Sequence, residues 1–118
     1  MSAMDVTIYH NPRCSKSRQA LALLLDKGIT PRVVEYLKTP PSRDELAAIV
    51  KATGEPVRAL LRKQGSPYDD LGLDDETWSD AALLDVMAEH PSLLNRPVVV
   101  TDKGARLGRP TERILDIL

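Results

Sequence analysis

The spacing of apolar positions changes several times along the chain, and each change marks an element. "VTIYH", Val6 to His10, is a run of β-forming residues that predicts a buried strand. "NP" punctuates it. From Ser15 the spacing turns helical: "SKSRQALALLLDKG" places Leu21, Leu24 and Leu25 on one face, with Gly28 where a helix commonly stops. "PRVVEY" predicts a second strand. Strand, helix and strand within roughly thirty residues form a βαβ unit.

The middle of the chain reads as helical. "PSRDELAAIV" carries a capping box, Ser42 at the N-cap and Glu45 three residues on, and this helix is expected to end near Gly54. "PVRALLRK" predicts a short helix with Pro56 at its start, and "GSPYDDLGLDD" a loop. "WSDAALLDVMAEHP" predicts another helix, with Ser79 as cap and Pro91 beyond its end. After "NRP", the stretch "VVVTDKGARL" alternates around "DKG" and predicts a hairpin. "RPTERILDIL" closes the chain as a helix capped by Thr111. The order is β-α-β, a helical insert over about 38–95, then β-β-α. It predicts an α/β fold with a four-stranded mixed sheet and helices on its faces, residues 1–118 forming a single domain.

Composition narrows the picture. Hydrophobic residues make up 42% of the 118, enough for a packed core, but aromatics are 3% and Phe is absent, so Leu, Ile, Val and Ala must build it. Sixteen basic and seventeen acidic residues leave a net charge of −1, which gives no global reason to expect nucleic acid or an anionic membrane as partner. Any anion site must come from a local cluster. "MSAMDV" lacks the pattern of a secretory signal, and the longest apolar run, "ALALLL", is far short of a membrane span. The single cysteine forms no internal disulfide. A soluble, cytoplasmic protein is the expectation.

That cysteine lies in "HNPRCSKSRQAL". Cys14 follows a strand directly and opens a helix, so its sulfur faces the unpaired N–H groups of the first helical turn and the positive end of the helix dipole. Arg13, Lys16 and Arg18 add charge nearby, and His10 stands four residues upstream. Each effect favours thiolate over thiol and predicts a depressed pKa. A lone cysteine is more often a small core residue, but a core residue belongs on an apolar face, and Cys14 sits between Arg13 and Ser15. A C-x-x-C dithiol is absent, because Ser17 holds the second position. A cysteine-phosphatase loop needs an arginine where Ala20 stands. One Cys and two separated His residues do not make a metal site.

Further basic residues are Arg62 and Lys63 at the end of a short helix, Arg96 before a strand and Arg109 after one. Taken singly, each reads as a solvated surface charge. Two of them, however, immediately precede a proline at a strand boundary, and in a four-stranded fold of this order the strand end near "NRP" is expected beside the end of the first strand. A guanidinium binds an oxyanion in bidentate fashion. A thiolate, a helix N-terminus and converging arginines suit attack on a tetrahedral oxyanion.

With "YHNPRCSKSRQAL", "YLKTPPSRDEL", "VRALLRK", "YDDLGL", "LLNRPVVVTDKGARLGRP" and "ILDIL" in this order, the chain closely resembles the glutaredoxin-coupled arsenate reductases, a branch of the thioredoxin-like superfamily. The resemblance implies a thioredoxin-like core with a helical insert. It implies Cys14 as the catalytic nucleophile toward arsenate, His10 and Ser17 holding it as thiolate, and Arg18 in the same motif. Arg62, Arg96 and Arg109 match three oxyanion-binding arginines, and Pro97 matches the cis-proline of the fold. No bound cofactor and no metal are implied. It implies glutathione as co-substrate and glutaredoxin as partner protein, in keeping with a single thiol that has no internal disulfide through which to deliver two electrons. A monomer is expected. The chain departs from relatives at Gly108, where some carry a cysteine, at Ser15 and Lys16 in "CSKS", and at its end, Leu118, beyond which some relatives continue.

Two other readings share the fold. Spx-type regulators bind RNA polymerase and usually carry C-x-x-C; Ser17 and the matched arginines argue against that class. A glutathione-dependent thiol reductase acting on another substrate would use the same thiolate, its arginines meeting glutathione carboxylates.

Overall fold

The computed structural model of the chain describes residues 5–118. Four strands form one sheet: β1 (Thr7–His10), β2 (Arg32–Glu35), β3 (Val98–Thr101) and β4 (Gly104–Leu107), in the order β2-β1-β3-β4. β1 pairs parallel with β2 and antiparallel with β3, and β3 pairs antiparallel with β4. The expected α/β class with a mixed four-stranded sheet is therefore found. Three α-helices, α1 (Ser15–Asp26), α2 (Arg43–Thr53) and α3 (Asp80–Glu89), and three short 3₁₀ helices complete it.

The residues fall into two compact units, one made of the described residues up to Thr39 together with Arg96–Leu118, the other of Pro40–Asn95. The first holds the sheet, α1 and the closing 3₁₀ helix, Thr111–Ile117. Its core joins Val6, Ile8, Val99, Ala20, Leu24, Ile114 and Ile117. Burying a Leu or Ile in such a core stabilises by about 1.5–3 kcal/mol.

Helix α1 buries Ser17, Ala20 and Leu24, a strip at spacings of three and four. The expected face of Leu21, Leu24 and Leu25 is corrected in part: Leu24 is fully buried, but Leu25 is 54% exposed. One residue is a rotation of about 100°, so Leu25 turns off the strip that Leu24 anchors. The helix closes in a Schellman motif. Gly28 takes φ 76°, its N–H donates to the Leu25 carbonyl at 3.0 Å, and the Ile29 N–H donates to the Leu24 carbonyl at 2.9 Å.

In the second unit the capping box of α2 forms as expected, Ser42 Oγ accepting from the Glu45 N–H and the Glu45 carboxylate accepting from the Ser42 N–H. Gly54 ends that helix and Ser79 caps α3. Arg43 of α2 pairs with Asp85 of α3. Arg58 donates to the carbonyls of Leu73 and Asp75, pinning the loop between them. The expected Thr111 cap is corrected. Pro110 occupies the cap position of the closing 3₁₀ helix, and the Thr111 hydroxyl instead donates to Gln19 Oε1 at 3.3 Å. Among the described residues no helix is long and apolar enough to cross a membrane.

Candidate active site

β1 delivers the chain into the four-residue turn Asn11–Cys14, and α1 begins at Ser15. The Cys14 N–H donates to the Asn11 carbonyl at 3.0 Å, which closes the turn. β3 runs antiparallel beside β1, with Val98 opposite Tyr9. Its entry, Arg96–Pro97, therefore lies at the end where β1 stops. β4 returns antiparallel to β3, with Leu107 opposite Val98, so Arg109 follows at the same end. Residues 95 positions apart meet there: Arg109 Nη2 stands 3.5 Å from Cys14 Sγ.

Arg109 is fixed by a second bond, Nε donating to the Arg96 carbonyl at 2.7 Å. The peptide bonds from Arg96 to Pro97 and from Arg109 to Pro110 are both cis. The Gly108 N–H donates to the Pro97 carbonyl at 2.8 Å. A Cβ on Gly108 would meet Pro97 Cγ at 2.9 Å and Ile114 Cγ2 at 3.4 Å. The absence of a side chain is thus what lets the two proline-bearing segments close on each other.

Cys14 is partly exposed and its thiol sits below its ordinary pKa. Burial is the largest influence and acts upward, against ionisation. It is outweighed by the N–H of Ser17, a hydrogen bond from the Arg96 side chain, the N–H of Lys16 and the charge of Arg96.

Ser17 and His10 form a buried polar pair. Ser17 Oγ and His10 Nδ1 are 2.7 Å apart, and Ser17 Oγ accepts from the Asn11 N–H at 3.0 Å. His10 has a depressed pKa, chiefly from burial; Glu35 opposes the shift and Arg18 adds to it. The neutral ring therefore prevails near pH 7, and its Nδ1 shares a hydrogen bond with the Ser17 hydroxyl. Neutral His10 brings no full charge to the thiolate. It holds Ser17, whose N–H bears on the sulfur.

Arg18 is exposed and its Nη1 donates to the Pro12 carbonyl at 2.9 Å, bracing the turn. Arg62 belongs to the second unit, where its Nη1 donates to Asn95 Oδ1 at 3.2 Å and its N–H to the Leu93 carbonyl at 2.7 Å. The first unit thus brings together Cys14, His10, Ser17, Arg18, Arg96, Pro97 and Arg109. Asn11 was overlooked in the sequence; Asn followed by Pro at the start of a turn was the available signal. Among the described residues no group of three or more His, Cys, Asp or Glu side chains is placed to hold a metal ion.

The sequence profile of the ArsC family matches residues 9–117. The chain belongs to the ArsC family. It is 56% identical over 115 residues to the "Arsenate reductase" of Rhizobium meliloti (strain 1021), covering 98% of this chain and 82% of that one. It is 52% identical over 114 residues to an Escherichia coli "Arsenate reductase", covering 97% and 81%. Among solved structures, "Arsenate reductase from Vibrio cholerae" superposes with a TM-score of 0.94 at 51% identity, covering 99% of this chain and all of that one. As in its ArsC relatives, the sheet and its helices form a thioredoxin-like fold.

Proposed function

We propose that this ArsC-family protein is an arsenate reductase that uses Cys14 as nucleophile and glutathione with glutaredoxin as electron source. The observation that carries the reading is the surrounding of the Cys14 sulfur: two helix N–H groups, the Arg96 side chain, and Arg109 Nη2 at 3.5 Å. This arrangement favours a thiolate and offers cationic donors to an oxyanion beside it. The relatives named "Arsenate reductase" at 52–56% identity supply the substrate.

In this scheme the Cys14 thiolate attacks the arsenic of arsenate, an As–S bond forms, and one arsenate oxygen leaves as water after taking up protons. Arg96 and Arg109 hold the remaining oxygens and stabilise their charge, the preorganised electrostatics of anion chemistry. A glutathione thiol then displaces a second arsenate oxygen, which leaves as water, so that arsenic carries both sulfurs. A second thiol, delivered through glutaredoxin, takes the first glutathione as a disulfide. Arsenic gains the two electrons of the As–S bond as the two thiols become one disulfide, and water then displaces Cys14 from As(III), releasing arsenite and restoring the thiolate. For Arg62 the support is the family resemblance, and R62A tests it.

The test is arsenate-dependent NADPH oxidation coupled through glutathione, glutaredoxin and glutathione reductase, with C14S as blank. Steady oxidation that needs arsenate is expected, and thioredoxin with its reductase should not replace glutathione, because the chain has a single cysteine. Oxidation supported by a disulfide substrate but never by arsenate would move the reading to a different thiol reductase.

A further inference from the structure

We propose that Asn11 is a positioning residue for Cys14, its side-chain oxygen setting the turn that holds the sulfur over the first N–H groups of α1. The proposal rests on Cys14 being the reactive thiol and assigns a further residue to that same site. Asn11 is buried, and three of its polar groups are committed to the turn. Its N–H donates to Ser17 Oγ at 3.0 Å, its carbonyl accepts from the Cys14 N–H at 3.0 Å, and its Oδ1 accepts from the Arg13 N–H at 3.0 Å. Only the last depends on the side chain.

Asn11-Pro12-Arg13-Cys14 is a β-turn with proline in its second position, where types I and II both accept it. Type II requires φ above zero at the third position, here Arg13, and no non-glycine residue among those described has a positive φ. Type I remains, and it favours Asn at its first position. The Oδ1 bond to the N–H two residues on is the Asx interaction that lets this side chain imitate a backbone turn. It satisfies the Arg13 N–H from inside the turn. Without it, Arg13 and then Cys14 lose a fixed approach to the helix, and the sulfur leaves the N–H groups of Lys16 and Ser17.

The experiment compares N11A, N11Q and N11S with the native chain, following iodoacetamide alkylation of Cys14 against pH and thermal unfolding of each variant. The reading needs no arsenate, so it fails or holds separately from the proposed function. N11A and N11Q, whose side chains do not close the turn, should move the alkylation midpoint up. Loss of one hydrogen bond corresponds to about fivefold less thiolate on the acid side of the titration. N11S retains an acceptor oxygen on Cβ and should recover most of the native midpoint, since Ser forms the same turn more weakly. If N11A does not fold, N11Q decides. An unshifted midpoint in a folded N11A or N11Q, or an N11S midpoint no closer to native than theirs, overturns the proposal, even where unfolding temperature falls.

Discussion

Replacing Ser17 by alanine removes one oxygen and separates two buried partners. Ser17 is fully buried, and His10 and Asn11 beside it are buried too. The change leaves His10 Nδ1 without its 2.7 Å contact and the Asn11 N–H without its 3.0 Å acceptor. A buried polar group deprived of its partner costs about 1–3 kcal/mol. Both groups sit at or just past the end of β1 and are slightly exposed, so relaxation recovers part of that cost, and we expect S17A to lose about 2–4 kcal/mol. At this chain length roughly 4 °C accompanies each kcal/mol, giving a fall of about 8–16 °C in Tm. Ser15 supplies the control. It is exposed, and S15A should stay within about 0.5 kcal/mol of native. Urea unfolding followed by circular dichroism at constant pH measures both. If S17A behaves like S15A, the Ser17–His10–Asn11 network is not a stabilising unit, and the account of how α1 is anchored beneath Cys14 is wrong.

Three further outcomes follow from the same geometry. R96M removes both the side-chain donor and the charge that favour the Cys14 thiolate, so its alkylation midpoint should rise above the native value, with reactivity lost first on the acid side. His10 is held below its ordinary value of about 6.5, so the unfolded chain takes up the proton first as pH falls. Stability should therefore decline from about pH 6.5 down to the lower folded value, and urea midpoints for H10Q should lack that part of the slope. G108A puts a Cβ 2.9 Å from a ring carbon of Pro97, which has no flexible end to move aside, and should cost about 1–3 kcal/mol in thermal unfolding.

Local signals in the chain were legible where local chemistry decides the structure. Ser42 and Glu45 form the capping box their spacing announces, and Gly28 stops α1 because it alone takes the left-handed turn without a Cβ penalty. The meeting of Arg109 with Cys14 was half legible, since it depends on β3 running antiparallel beside β1. The hairpin pattern gave the β3–β4 pairing, and only the fold puts it next to β1. Leu25 and Thr111 went the other way. Several adjacent leucines define more than one apolar strip, and the sheet chooses the one containing Leu24. Thr111 looks like a cap in isolation, but the short 3₁₀ helix begins at it and Gln19 takes its hydroxyl. The Asn11–Ser17 bond closes between a strand end and a helix, and no periodicity encodes it.

One local conflict in the sequence resolves only through the site. Helix N-termini favour acidic residues, and a charge in the first turn contributes about 0.3–1 kcal/mol. α2 and α3 obey, with Asp44 and Glu45 in the first turn of one and Asp80 in that of the other. α1 has no acidic residue there and carries Lys16 and Arg18 instead. Cations at that end repel the dipole, so the choice weakens the helix on its own terms. It makes sense if the negative charge the dipole wants is not a carboxylate but the Cys14 sulfur. An Asp or Glu in the first turn would satisfy the helix and raise the thiol pKa by like-charge repulsion. Keeping carboxylates out leaves the N–H groups of Lys16 and Ser17, together with Arg96 and Arg109, for the thiolate and whatever oxyanion it meets. The other two helices, capped by serines with their own acids, have no such reason to depart from the rule. Local rules tend to break where a chain carries out its chemistry, and α1 breaks this one at Lys16 and Arg18, in the first turn after the sole cysteine.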